Sequence, residues 1–248
     1  GLERKIVVFE KGLADEAAQQ AVVRGAGGSV IKGLPLINGL AANLPAPAVA
    51  ALQRHAQVRR VDDDLVISAV KKPAPPPAPA QTVPWGISRI DASPAWAYST
   101  GASVKLAIVD SGIKLNHADL QANIAGGINT ISPRKSADDD NGHGTHVAGI
   151  AGAINNTIGV VGVAPQVDLY AVKVLNRSGT GWLSDIIEGL TWCVDNDMQV
   201  INMSFGSDLG NDSFHDAVIA VNNAGIVQVA AAGNNGGDYG TGTGSVIY

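Results

Sequence analysis

Between Lys71 and Gln81 the chain reads KKPAPPPAPAQ, and no folded layer can run straight through it. Each proline fixes φ near the polyproline value and removes a backbone N–H donor, so the stretch continues neither a helix nor a sheet ladder. It therefore divides the 248 residues into a first part at 1–70, a linker at 71–80 and a second part at 81–248. Charge changes over the same boundary. Through Lys72, Lys and Arg outnumber Asp and Glu by ten to seven, and beyond it they trail by seven to fifteen. Opposite net charges on tethered parts predict that the two dock.

In the first part, RKIVVF reads as a strand and ADEAAQQAVVRGAGG as an alanine-rich helix with a glycine stop. SVIKGLPLINGLAANL carries the turn residues of a hairpin, PAVAALQRHA a second helix and RRVDDDLVISAV a closing strand. The order β-α-β-β-α-β predicts a small ferredoxin-like α+β unit. It holds no catalytic cluster, and His55 reads as a solvated surface residue.

Beyond the linker, four apolar runs alternate with helical stretches. VKLAIVD (104–110), DLYAVKVL (168–175), MQVINMSF (198–205) and IVQVAAAG (226–233) read as strands buried on both faces. HVAGIAGAI, LSDIIEGLTWCVDN and SFHDAVIAVNNAG read as the helices between them. Such alternation predicts an α/β domain with a parallel sheet covered on both sides, and functional residues at the carboxyl ends of its strands. With 46% hydrophobic residues the chain can bury a sizeable core. A net charge of −5 argues against nucleic acid or anionic lipid as partner, and no apolar run approaches the roughly 20 residues of a membrane helix. Cys193 has no second cysteine to pair with and reads as a small core residue. The start at Gly1 rather than Met is read as upstream sequence removed.

Three positions could carry chemistry. Asp110 ends the first apolar strand and is followed by Ser-Gly, which suits either a helix cap or a buried carboxylate fed by backbone N–H donors. The local sequence VDSGIKLN lacks the glycine pattern of a dinucleotide site. His143 and His146 in NGHGTHVAG are three apart with no acid between them, unlike a helical zinc motif. Gly142 and Gly144 allow close backbone approach around His143 and leave its ring to face a cleft, whereas His146 reads as a core residue. Asn234, after the fourth strand in VAAAGNNGG, suits a turn or an amide donor to a developing oxyanion. The acidic run Asp138-Asp139-Asp140 reads as solvated, without a role.

Taken in order, AIVDSGI, NGHGTHVAGIAG, VINMSFG and VAAAGNNG resemble the motifs of the subtilisin-like serine proteases. Residues 1–70 resemble that family's inhibitory propeptide, and AQTVPWGISRIDA the start of its mature enzyme. The resemblance implies a parallel-sheet peptidase domain, incomplete at its C-terminus, in which Asp110 orients, His143 is the general base and Asn234 donates to the oxyanion. It implies an extended peptide or protein substrate lying between Ser178-Gly179-Thr180 and Ser204-Phe205-Gly206, with Ala231, Ala232 and Gly233 lining the primary specificity pocket. It implies a Ca2+ site in the INNTIGV loop, built from the Asp119 carboxylate, the Gln81 and Asn156 side chains and the carbonyls of Ile154, Ile158 and Val160. It also implies an exported protein whose own propeptide docks on the catalytic domain and is cut near Val70 or at Ala80-Gln81.

The family's nucleophile lies in a Gly-Thr-Ser-Met-Ala segment, and the 248 residues contain neither that segment nor a G-x-S-x-G elbow. By itself the chain is therefore expected to be nearly inactive: either a fragment of the precursor or one member of a two-chain assembly. Two other readings stand beside the protease. One is a non-catalytic protein that holds peptides or a partner chain on a protease-like scaffold, and the other makes residues 1–70 a protease inhibitor with an attached carrier.

Overall fold

The computed structural model describes residues 1–13, 15–69, 80–207 and 210–234. The linker expected at 71–80 lies outside them except for Ala80, as do Val70 and residues 235–248.

The first part forms β1 (Leu2–Phe9), α1 (Glu16–Gly25), β2 (Ser29–Leu34), β3 (Gly39–Pro45), α2 (Ala46–Leu52) and β4 (Val58–Asp63). Asp15 caps α1 by accepting the Ala18 N–H at 3.1 Å. The strands make one antiparallel sheet in the order β2-β3-β1-β4. Side chains alternate along a strand, so β1 sends Val7 and Phe9 to one face and Ile6 and Val8 to the other. Val7 and Phe9 pack with Val23, Ala48 and Leu52 of the two helices. Ile6 and Val8 join a different core, shared with Ile186, Leu190 and Val221 from the second part of the chain. The sheet is thus buried on both faces, and its second face is completed by the rest of the molecule.

After β5 (Val66–Ala69) come α3 (Trp85–Arg89), α4 (Ala92–Ala95), β6 (Lys105–Asp110), β7 (Ile124–Asn129), α5 (His143–Gly152), β8 (Asp168–Lys173), β9 (Thr180–Trp182), α6 (Leu183–Asp195), β10 (Val200–Met203), β11 (Phe205–Gly206), α7 (Asp212–Asn223) and β12 (Val227–Ala230). Five of the strands form a parallel sheet in the order β12-β10-β6-β8-β7. Along β6, Ala107 and Val109 face the core shared with α6 and α7, while Leu106 and Ile108 face the core under α5. This is the α/β arrangement that the alternating apolar runs predict. It includes one strand they do not, since IAGGIN of β7 has neither an apolar run nor a clean alternation.

The fourth apolar run departs from expectation. Val227 and Val229 of β12 are 58% and 51% exposed, not buried on both faces. Among the described residues β12 is the sheet edge, paired only with β10, and it presents these two valines to solvent despite an interior composition.

Basic residues of the first part meet acids of the second. Lys32 pairs with Asp185 at 2.6 Å and with Glu188, and Arg60 reaches Asp216 at 2.7 Å. Asp64 accepts the Ser184 N–H at 2.8 Å and its hydroxyl at 2.7 Å, covering the first turn of α6.

Candidate active site

Parallel strands end together, and β6 ends on Asp110, whose residue is fully buried. A carboxylate taken from water needs donors. The Ser111 N–H supplies one at 2.6 Å from Oδ1, and the His143 ring supplies the other, with Nδ1 at 2.8 Å from Oδ1 and 2.9 Å from Oδ2. His143 is the first residue of α5 and is 7% exposed. With Nδ1 committed to the carboxylate as donor, the lone pair is left on Nε2.

Two glycines allow this approach. Gly142, the N-cap of α5, has φ of 95°, which the chain needs to turn into the helix with His143 aimed at the strand end. At Gly144 a Cβ would stand 2.1 Å from the Gly112 carbonyl oxygen and 3.1 Å from the Asp110 Cβ. Gly144→Ala is therefore expected to lower stability by about 1–3 kcal/mol through overpacking, despite alanine's better helix propensity. Urea unfolding monitored by circular dichroism measures it, and an unchanged midpoint would show that the strand exit yields freely.

His146 is on the exposed side of α5, not in the core as the sequence suggests. The buried stripe runs through Gly144, Ala148 and Gly152, and position 146 is rotated about 200° from it. The acidic run is likewise not a solvated loop end. Asp138 pairs with Lys114 at 2.6 Å and Asp140 with Lys173 at 2.7 Å, while Asp139 is 7% exposed and bonds the opening turn of α5. An acid shortly before a helix start is a capping signal, and that signal was available in the sequence.

A second, three-stranded sheet lies beside the dyad's strand ends. β5 is held antiparallel between β9 and β11, with Val66, Ile67 and Ser68 opposite Trp182, Gly181 and Thr180, and Ser68 and Ala69 opposite Gly206 and Phe205. Ile67 is buried in an apolar recess formed with Leu183, Phe205 and Phe214. Of the edges expected from sequence, Thr180, Phe205 and Gly206 are in this sheet. Ser178 and Gly179 form the turn before it, with the Ser178 N–H bonded to Asn176 Oδ1 at 2.8 Å, and Ser204 bridges β10 and β11, accepting from Asn202 Nδ2 at 2.8 Å. The residues that the sequence reading missed are Gly181 and Trp182; Arg4 stacks over the Trp182 ring at 4.6 Å.

Ala231, Ala232, Gly233 and Asn234 follow β12 at the same end of the parallel sheet, with the Ala231 N–H bonded to the Met203 carbonyl at 3.1 Å. Asn234 sits in an exposed bend.

The loop expected to hold calcium closes around Asp119, which is 4% exposed. Its carboxylate accepts from Asn156 Nδ2 at 2.9 Å and from the Val160 N–H at 3.0 Å. Gln81 Nε2 reaches the Ile154 carbonyl at 3.2 Å, and the Ile158 N–H bonds Asn156 Oδ1 at 2.7 Å. A Cβ at Gly159 would lie 2.0 Å from Asp119 Oδ2, so the loop wraps the carboxylate closely. Among the described residues no group of three or more His, Cys, Asp or Glu is placed to hold a metal ion, and no Lys or Arg pairs with Asp119. One carboxylate with amide and carbonyl oxygens is a hard donor set that fits Ca2+ and does not suit zinc.

Comparison with known proteins decides the ancestry of this arrangement. Residues 101–248, more than half of the chain, match the Peptidase S8 subtilase family. This chain is a subtilase. It is 40% identical over 246 residues to subtilisin E of Bacillus subtilis strain 168, covering 97% of this chain and 62% of that protein. It is 46% identical over 191 residues to a thermostable alkaline protease of Halalkalibacterium halodurans, covering 77% of this chain and 52% of that protein. It is 46% identical over 186 residues to an alkaline protease of Shouchella clausii, covering 75% and 47%. This subtilase chain thus spans roughly half to three-fifths of the length of these relatives. No helix among its described residues is long and apolar enough to cross a membrane.

Proposed function

We propose that the chain is the inhibitory propeptide (1–70), linker (71–80) and first part of the peptidase domain (81–248) of an exported, calcium-stabilised serine endopeptidase. The observation that carries this reading is the clamp on β5. An extended segment held by main-chain bonds between two edges, beside a buried histidine–carboxylate pair, is how a peptide of almost any sequence can be presented for hydrolysis. In this reading β5 occupies the substrate's place, and residues 1–70 inhibit by holding it there.

In the reaction, Asp110 accepts the Nδ1–H and keeps the imidazole in the tautomer whose Nε2 can accept a proton. His143 Nε2 takes the proton of a serine hydroxyl as its oxygen attacks the substrate carbonyl carbon, then returns it to the leaving amine as the C–N bond breaks. Asn234 donates from its amide to the oxyanion of the tetrahedral intermediate. Gly206 and Thr180 align the substrate backbone, and Ala231, Ala232 and Gly233 leave room for its primary side chain. The hydroxyl belongs to further polypeptide, continuous with this chain or supplied by a second one.

Ca2+ would be held by the Asp119 carboxylate, the carbonyls of Ile154, Ile158 and Val160, and the side chains of Gln81 and Asn156, turned to present their oxygens. When bound it supplies positive charge that ties these three segments together. At calcium a hundredfold above Kd, the ion adds about 2.7 kcal/mol of stability. Chelation should lower the melting temperature of the parent and leave that of Asp119→Asn unchanged; equal melting of the parent with and without chelator would remove the calcium assignment.

The function is tested on the precursor carrying its serine-bearing segment. Loss of residues 1–70, hydrolysis of casein and labelling by a fluorophosphonate are the expected results. Peptide binding without hydrolysis or labelling, once residues 1–70 are removed, would replace the endopeptidase with the binding protein.

A further inference from the structure

We propose that Ser111 and Asp139 are a positioning pair, which preforms the Asp110–His143 hydrogen bond by tying the end of β6 to the start of α5. The proposal rests on reading His143 as the general base and adds how its orientation is kept.

The dyad joins two places where a chain ordinarily frays, the last residue of a strand and the first of a helix. Ser111 is fully buried and makes three bonds to the strand end and helix start, besides accepting from Lys173 Nζ at its carbonyl at 2.5 Å. Its N–H donates to Asp110 Oδ1 at 2.6 Å, its hydroxyl donates to Asp139 Oδ1 at 2.9 Å, and its oxygen accepts the Gly144 N–H at 3.0 Å. One residue therefore touches the carboxylate of the dyad and the residue immediately after its histidine. Both hydroxyl roles are determined, because a carboxylate accepts and an amide N–H donates.

Asp139 holds the other side of the junction. Oδ1 accepts from the N–H groups of Asn141 at 2.9 Å and Gly142 at 2.8 Å, and Oδ2 from the Thr145 N–H at 3.0 Å and its hydroxyl. The backbone on both sides of His143 is thereby fixed to one carboxylate. Burial pushes the Asp139 carboxyl up, but the bonds from Gly142, Thr145 and Asn141 outweigh it and hold the group below the usual aspartate range. It therefore remains charged near neutral pH. Among the described residues it joins no salt bridge, so its charge is balanced by the N-terminal amides of α5. Thr145 extends the tie, since its oxygen also accepts the Lys114 N–H at 2.9 Å, just beyond the exit of β6.

A cap that served only the helix would change stability and leave the imidazole proton alone. In the 248-residue protein the measured quantity is the solvent exchange of the His143 Nδ1–H, observed as a downfield proton resonance. In the serine-bearing enzyme it is kcat against KM. Folded Ser111→Ala and Asp139→Asn should exchange that proton at least about tenfold faster, and should lower kcat about 10–100-fold while KM moves less than about twofold. Because both act through one link, the double variant should fall little below the worse single variant. Parental exchange and kcat in folded Ser111→Ala would overturn the proposal while leaving the role of His143 intact. That role fails separately, if His143→Ala itself still turns over substrate. Should Asp139→Asn not fold, Thr145→Val, which deletes a hydroxyl donor to the same carboxylate, takes its place in the measurement.

Discussion

Alanine at position 143 in the serine-bearing enzyme is expected to lower kcat by about six orders of magnitude, a scale known from subtilisin itself rather than deduced from this geometry. The hydroxyl nucleophile then has no base within reach, and the groups of the triad act as a unit, so removing one forfeits nearly the whole of their effect. What remains is binding and oxyanion stabilisation. The substitution also strips Asp110 of one of its donors and leaves Ser111 N–H as the other, so some loss of stability accompanies the loss of turnover. Saturation kinetics on a chromogenic peptide, with a melting curve beside them, separate the two. A kcat within tenfold of the parent would mean that another residue takes the proton.

Asp110→Asn is expected to cost about 10⁴-fold in kcat with the fold retained. The geometry explains why so small a change should matter. Oδ1 accepts the Ser111 N–H, so an asparagine keeps its oxygen there and turns its NH2 toward His143. With an NH2 in the place of Oδ2, 2.9 Å from Nδ1, the ring is drawn to accept there and to carry its proton on Nε2, the tautomer that cannot serve as base. The defect lies in a proton's position, so the loss should shrink at high pH, where hydroxide competes for the nucleophile's proton. A loss of less than tenfold at neutral pH, or a loss confined to KM, would contradict the orienting role.

The sequence was most informative where a residue's setting is local. An apolar run between polar turns favours a strand, which made β6, β8 and β10 and the β-α-β-β-α-β order of the first part legible, although RRVDDDLVISAV, expected as one closing strand, divides into β4 and β5 in different sheets. Signals failed where burial depends on neighbours. The glycine-rich β7 is a strand because β8 pairs with it, and the apolar β12 leaves Val227 and Val229 about half exposed on one face although its composition matches that of the buried strands. His146 was misread because helical rotation, not sequence distance from His143, decides which face a side chain takes. Asp139 was misread because three neighbouring acids look alike in sequence, and only the folded chain shows which of them meets the amides of a helix start.

By itself the sequence determined the charge contrast between residues 1–72 and the rest, the parallel-sheet class and the residue types able to move a proton. Each follows from backbone chemistry or local apolar pattern. The tertiary structure alone decided that Asp110 and His143 touch, that Val66–Ala69 lies between two edges from elsewhere in the chain, and that Ser111 and Asp139 join the strand end to the helix start. Hydrogen bonds act over a few ångströms between residues tens or hundreds of positions apart, and their formation depends on how whole layers pack.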